Sequence, residues 1–398
     1  MTKTTQLPGH RTHVAILGGG YAGTLAANRL RQRPDVDITL INPCPVFVER
    51  IRLHQLVADT GAATADYGTL LGDGIRLVVD NADHIDAGNR RVLLGSGGEL
   101  NYDYLIYAVG SSGAKASTLS QVPGAVEFAH SLADLESAQR LRCALADLPT
   151  NASITVVGGG LTGIETASEL AEQGRAVTLV CGGILGPSLS QRGRRTVGNR
   201  LRKLRVDVLE SVAASEVRWN AVVLTDGAAL PSAATVWTAG FAVPDLAARS
   251  GLSTDALGRL LTDETLTSID DERIVAAGDA VAPSGRPLRM SCQAAGPLGA
   301  QAANTVLSRI AGSTPRVLNQ AFVGQCISLG RADGTIQLSR TDDTPVNLIV
   351  GGRSAASIKE AICKGTLWAI RREAAKPGSY IWLKGGKRAP ANQETALQ

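Results

Sequence analysis

Two short stretches of this chain obey the same rule. Gly18-Gly19-Gly20-Tyr21-Ala22-Gly23 follows the apolar run His13-Val14-Ala15-Ile16-Leu17 and opens into Tyr21 to Leu30, whose apolar residues recur at helical spacing. Gly158-Gly159-Gly160-Leu161-Thr162-Gly163 follows Ile154-Thr155-Val156-Val157 and opens in the same way into Ile164 to Gln173, 140 residues later. Strand, glycine turn and helix in that order leave the chain few options. The first glycine makes the tight turn, the second lets a pyrophosphate approach the backbone, and the third lets the helix pack on the strand. The helix N-terminus then offers free N–H groups and a partial positive charge to phosphate. One such turn is a weak signal. Two in one chain imply two dinucleotide sites, and the simplest pair of ligands is FAD and NAD(P)H. The expected contacts are Gly18, Gly20, Tyr21, Ala22 and Gly23 for FAD, and Gly158, Gly160, Thr162 and Gly163 for NAD(P)H.

The rest of the composition fits that frame. A chain of 398 residues has room for two or three domains, and 44% hydrophobic against 19% charged residues supports a large core. The net charge of +4, from 40 basic and 36 acidic residues, is too even for a nucleic-acid footprint. No apolar stretch reaches membrane-span length. Met1 to Arg11 has no apolar core of a secretory leader, so the expected location is cytoplasmic, peripheral at most to the inner membrane face. The nearest two of six cysteines, Cys292 and Cys326, are 34 residues apart, and no C-x-x-C or C-x₄-C pair exists. A local redox disulfide and a structural metal site are therefore not supported.

Val36 to Asn42 reads as the second parallel strand. It ends 19 residues past Gly23, where an acidic residue commonly binds ribose hydroxyls. Asn42 either takes that role uncharged or caps the turn before Pro43. In the second unit Ala176 to Val180 ends at Cys181, again without an acid, and Arg192, Arg194 and Arg195 follow. These arginines either accept a 2′-phosphate, so that NADPH is used, or solvate a helix start.

Pro45 to Ala58 reads as a helix on which Arg50 and His54 share a face, while Glu49 and Arg52 could pair. Ile75 to Val79, Arg91 to Leu94 and Tyr102 to Val109 read as strands. Ser131 to Leu148 reads as a helix, and Ile274 to Ala280 as a strand ending in Gly278-Asp279. Ser291 to Ile310 is a further helix, Phe322 to Val350 a small sheet, and Arg353 to Lys376 a last amphipathic helix. The tail after Pro377 carries few structure signals.

These residues resemble the two-dinucleotide flavoprotein reductases, and among them the type II NADH dehydrogenase family and its soluble relatives. Four stretches carry the likeness: Gly18 to Gly23; Tyr102 to Gly110; Gly158 to Glu165; and Val236 to Gly240 followed by Ala277 to Ala280. The resemblance implies that Asp279, with Gly278 and Gly110, holds FAD and that Glu165 lies near flavin and nicotinamide. Glu165 sits just inside a helix start, where a carboxylate also suits the helix dipole. The chain departs from the family's quinone-side Ala-Gln pair and its later Gln, with Cys292-Gln293 and Pro297 in those places.

The expected fold is α/β, with two Rossmann-like dinucleotide-binding domains and a small C-terminal α+β domain. The FAD domain is split into 1–122 and 240–318, the NAD(P)H domain is inserted as 123–239, and 319–376 and a 377–398 tail follow. The expected chemistry passes hydride from NAD(P)H to FAD and on to an acceptor. Arg50, Arg52, His54 and Gln293 are expected to line one acceptor pocket, with His54 delivering a proton. Such a donor-rich pocket suits an anionic or carbonyl-bearing soluble acceptor. If instead Glu49 neutralises Arg52 and Arg50 faces water, an ordinary quinone slot remains. A flavin-bearing sensor with little turnover and a disulfide reductase are the alternatives. On the last helix, Ile358, Ala361, Ile362, Gly365, Trp368 and Ala369 form a stripe suited to core packing, a homodimer contact or a membrane surface.

Overall fold

The structure is a computed structural model and describes residues 11–386 and 388. Its first sheet has five parallel strands in the order Ile274–Ala276, Tyr104–Tyr107, Thr12–Leu17, Val36–Asn42, Ile75–Val79. Val14 to Leu17 are buried almost completely, as a central parallel strand covered on both faces requires. The helix Tyr21–Leu30 packs against Cys292–Ile310. Their approach is so close that a Cβ on Gly299 would lie 2.2 Å from the Ala22 carbonyl oxygen.

The second sheet repeats this plan with strands Ala129–Ser131, Ala234–Trp237, Ser153–Val157, Ala176–Val180 and Asp207–Leu209, all parallel. Each half also carries a three-stranded antiparallel meander, 82–101 in the first and 214–231 in the second. One difference separates the two plans. The edge strand of the second sheet, Ala129–Ser131, precedes its glycine turn. The edge strand of the first, Ile274–Ala276, arrives only after the second sheet is complete. A third unit follows: antiparallel strands Gly324–Ser328, Gly334–Ser339 and Pro345–Gly351, with the long helix Gly352–Ala375 packed on them. The fold is thus the α/β arrangement of two Rossmann-like sheets with a small α+β unit.

Three local expectations change. Pro45–Ala58 is not one helix. Phe47–Val48 pairs with Thr64–Ala65, a 3₁₀ turn covers Arg50–Arg52, and only Leu53–Val57 is α-helical. The strand bond from Glu49 N–H to the Ala63 carbonyl (2.8 Å) and the φ of −115° at Arg52 hold these pieces apart. Ser131 belongs to an edge strand, and the helix behind it is Leu135–Ala146, capped by Asp134, which accepts from Ser137 N–H at 2.8 Å. The third change is in the tail, of which residues 387 and 389–398 lie outside the described residues.

Gly378 to Gly386 is bound down rather than loose. Glu373, fully buried, accepts from Gly378 N–H (2.7 Å), Tyr380 N–H (2.5 Å) and Arg29 Nη1 (3.1 Å). Trp382 donates to the Asn319 carbonyl at 2.9 Å, and the Arg29 guanidinium lies 5.7 Å from its ring centre. Removing one partner of a buried pair strands the other charge. Glu373→Ala should therefore lose about 3–5 kcal/mol in a denaturant titration. The double variant Arg29→Met, Glu373→Leu should lose less than Glu373→Ala alone, because no charge is left behind.

Candidate functional site

Both glycine turns lie at the C-terminal ends of their central strands, and their glycines divide into two kinds. Gly18 has φ +98°, and a Cβ there would sit 2.3 Å from the Ala108 carbonyl oxygen. A Cβ on Gly23 would sit 1.8 Å from the Gly18 carbonyl oxygen. Gly20 between them faces open space, with no atom within 4 Å of its Cβ position. The second turn is the same: Gly158 has φ +125°, a Cβ on Gly163 would lie 1.9 Å from the Gly158 oxygen, and Gly160 is open. Outer glycines packed and middle glycine open is the shape a pyrophosphate cradle needs. Tyr21 and Ala22 begin the first helix, and the buried Tyr21 hydroxyl has no hydrogen-bond partner among the described residues. Leu161 and Thr162 begin the second helix.

Asn42 fastens the first turn: its Oδ1 accepts from Gly19 N–H at 2.8 Å and its Nδ2 donates to the Cys44 carbonyl at 2.7 Å. In the second unit the Cys181 side chain lies against Gly159, and burial followed by the charge of Glu210 pushes its thiol up to about 12. Arg192 reaches the Asn347 carbonyl at 3.5 Å, on the C-terminal sheet.

Arg50, Ser111 and Asp279 form a chain beyond the ends of strands Tyr104–Tyr107 and Ile274–Ala276. Arg50 Nη1 donates to the Ser111 carbonyl (2.6 Å) and Oγ (3.0 Å), and Ser111 Oγ donates to Asp279 Oδ2 at 2.7 Å. Burial lowers the Arg50 pKa, opposed by the charges of Asp279 and Asp134. Gly110 and Gly278 flank this chain with φ of +71° and +79°. Ser111 was not singled out from the sequence, although its place directly after Gly110 was the available signal.

Arg52 and His54 face elsewhere, into a cluster around Glu165. Glu165, buried in helix Leu161–Glu172, accepts from Ser328 N–H at 2.9 Å and forms an ion pair with Lys359 of the C-terminal helix. His54 Nδ1 is 3.7 Å from Glu165 Oε2, and its buried Nε2 has no partner among the described residues. Arg52 holds Glu360 through two bonds of 3.0 and 3.1 Å and also reaches Gln55 at 2.9 Å and Glu49 at 3.3 Å. Burial, then the charges of Lys359, Arg331 and Arg52, drive the His54 pKa well below its usual value. His54 is therefore neutral at physiological pH, without the ring charge that the expected proton donor would carry. Lys359 is held at about 8 by burial. A cleft of about 520 Å³ opens beside the cluster, lined by Gln55, Ser328, Arg331, Lys359, Glu360 and Lys364.

The four expected acceptor residues thus do not share one pocket. Arg50 joins Asp279, Arg52 and His54 join Glu165, and Gln293 joins the C-terminal sheet. With its amide oriented to satisfy both ends, Gln293 donates to the Gly324 carbonyl and accepts from Val323 N–H, each at 3.1 Å. Three thiols distant in sequence come together: Cys363 raises Cys292 and Cys326, and Cys326 raises Cys292, but burial is the largest cause for each of the three. Cys292 and Cys326 stand at about 11, so both are protonated at neutral pH. No cluster of three or more metal-ligating side chains occurs among the described residues.

Two glycine turns with an open middle position, at the ends of the central strands of two parallel sheets, are the geometry of two dinucleotide-binding units. Residues 12–299 match the pyridine nucleotide-disulphide oxidoreductase family, and the chain belongs to it. An NADH dehydrogenase-like protein of Mycobacterium tuberculosis is 28% identical over 381 residues, covering 88% of this chain and 93% of that protein. A type II NADH:quinone oxidoreductase of the same organism is 26% identical over 357 residues, covering 78% and 75%. Among solved structures, the sulfide:quinone oxidoreductase of Aquifex aeolicus aligns with TM-score 0.76 at 20% identity, covering 92% of this chain and 93% of that one. NDH2 of Plasmodium falciparum, in complex with NADH, aligns with TM-score 0.76 at 16% identity, covering 92% and 97%.

Two measurements follow from this geometry. Gly23→Ala forces a methyl onto the Gly18 carbonyl and should lower apoprotein stability by about 1–3 kcal/mol. Gly20→Val puts its Cβ into open space, so it should cost the apoprotein less stability than Gly23→Ala while preventing flavin retention. A Gly20→Val protein that purifies with full flavin would show that the turn does not cradle it. The neutral His54 sets a pH dependence. Its folded pKa is below the unfolded value, so the unfolded chain binds the extra proton first, and stability falls as pH drops below about 6.5. Between pH 7.5 and 5, melting temperature should fall less in His54→Gln than in the wild type.

Proposed function

We propose that the protein passes hydride from NADH to FAD and electrons from there to a quinone. The observation that carries this reading is the matched pair of cradles, each with an open middle glycine between two packed ones. We assign the flavin to the half built from 1–122 and 240–318, and NADH to 123–239. When bound, FAD accepts hydride and can return electrons singly or in pairs. The first helix N-terminus and Gly20 hold its pyrophosphate. Asp279, oriented by Ser111 and Arg50, holds its polar side chain. Gly160 and the second helix N-terminus hold the NADH pyrophosphate. Glu165, Lys359 and His54 form the proton-holding group between the halves: a carboxylate, an ammonium that burial brings to about 8, and a neutral imidazole. A Lys tuned toward neutrality can release or accept a proton without a large barrier. Lys359 also lines the cleft, which gives that proton a way to solvent.

The acceptor assignment rests on where the polar groups went. An anionic acceptor would need Arg50, Arg52, His54 and Gln293 to face one pocket. Each of these cations and amides is bonded to the protein, and His54 carries no charge. The case for an anionic acceptor thereby lapses, and a quinone is in line with the acceptor named for one relative. Thiol chemistry is disfavoured because Cys292 and Cys326 are protonated at neutral pH. No helix among the described residues is long and apolar enough to cross a membrane. Ile358, Ile362 and Trp368 of the last helix, with Leu348 on the strand before it, are exposed and flanked by Arg353 and Lys364. That surface supports peripheral contact with anionic lipid, where a quinone would be met.

Anaerobic mixing with NADH in a stopped-flow instrument should bleach the bound flavin. A soluble benzoquinone or naphthoquinone should then reoxidise it at least tenfold faster than 2-oxo acids or a small disulfide. Comparable rates with all three acceptor classes would remove the quinone assignment, and absence of bleaching would remove the enzyme reading.

A further inference from the structure

The second cradle lacks the acid that usually ends its second strand, and the neighbouring strand offers one. Asp207–Leu209 runs parallel to Ala176–Val180, pairing Leu209 with Val180, so both strands end at the same edge. The next residue is Glu210. Its Oε1 accepts from Leu185 N–H at 2.6 Å, which ties the carboxylate to the loop after Cys181. The loop is anchored on both sides: Cys181 N–H donates to the Leu209 carbonyl (2.9 Å), Gly186 N–H to the Gly159 carbonyl (2.8 Å), and Ser211 N–H to the Gly183 carbonyl (2.7 Å). The strand end, the glycine turn and Glu210 therefore form one hydrogen-bonded rim.

The rim leaves room for an adenosine. Gly160, Gly182 and Gly183 all have empty space where a Cβ would stand. Ile184 is half exposed on the same loop, an apolar surface for a purine face. Cys181 supplies neither charge nor a strong acceptor. Glu210 has no cationic partner among the described residues, and only one of its oxygens is bonded. A carboxylate with a free oxygen can accept from a ribose diol and repels a 2′-phosphate.

We infer that Glu210 is the residue that makes the second site select NADH over NADPH, replacing the missing strand-end acid from the adjacent strand. This rests on the reading of the second turn as the NADH site. It reverses the expectation drawn from Arg192, Arg194 and Arg195. Arg192 is turned to the Asn347 carbonyl, and Glu210 has no cationic partner among the described residues to offset its charge beside a 2′-phosphate.

The experiment is calorimetric binding of NAD⁺ and NADP⁺ to the flavin-loaded protein, with stopped-flow flavin reduction by NADH and NADPH as a second readout. The wild type should bind NAD⁺ at least tenfold more tightly than NADP⁺. Glu210→Gln keeps an acceptor for Leu185 N–H but removes the charge. It should narrow the ratio at least fivefold through the dissociation constants, and Glu210→Asp should largely keep the wild-type ratio. A wild type that prefers NADP⁺, or a Glu210→Gln ratio within twofold of wild type, overturns the inference. If NAD⁺ binds but NADH does not bleach the flavin, the proposed function fails, and the binding ratios still decide the role of Glu210.

Discussion

One helix, Gly352–Ala375, is tied by charge to all the other parts of the molecule. Lys359 pairs with Glu165 in the second half, Glu360 holds Arg52 in the segment after the second strand of the first half, and Glu373 holds Arg29 in the first glycine-turn helix. The outer two positions are about 20 Å apart along the helix. Buried ion pairs add little net stability over apolar packing, but a misplaced one strands a charge at high cost. Three pairs on one rod therefore act as a positional code. The seating of the C-terminal unit in this structure neutralises all three and brings Lys359 to Glu165.

Much of this architecture was legible in the chain because the governing interactions are local. The glycine turns, the strands Val36–Asn42 and Ala176–Val180, the helix behind Ser291 and the last helix all follow from spacing within a few residues. The site was less legible because its partners are remote. Arg52 and Glu360 are 308 residues apart, and Glu165 and Lys359 are 194. No periodicity on the Pro45–Ala58 segment could report that Arg52 and His54 turn one way and Arg50 the other. The segment itself misled because its apolar spacing suits a helix, while pairing of Phe47–Val48 with Thr64–Ala65 prevails. Cysteine spacing likewise hid that Cys292, Cys326 and Cys363 converge.

The two halves solve the same problem with different neutral residues. A strand-end acid would both bind ribose and add negative charge beside a pyrophosphate. Asn42 instead places an amide there and turns it inward to brace the Gly19 peptide, with Tyr67 donating to the Gly19 carbonyl at 2.7 Å from the other side. Cys181 packs on Gly159 and carries no charge. The residues that end the two second strands thus brace the glycine turns without adding charge of their own, and the one carboxylate at the second turn, Glu210, comes from the neighbouring strand.

The placement of the two edge strands has a consequence for how the protein is made. All strands of the second sheet lie within 129–237, whereas the first sheet waits for Ile274–Ala276. A ribosome adding about 5–20 residues per second needs roughly ten to thirty seconds to travel from Tyr107 to that strand. During this interval the backbone edge of Tyr104–Tyr107 has no partner on one side, and an open apolar edge invites pairing with another chain. The second half can be folded while the first is still incomplete. The sheet whose strands are made first is therefore the last to be closed.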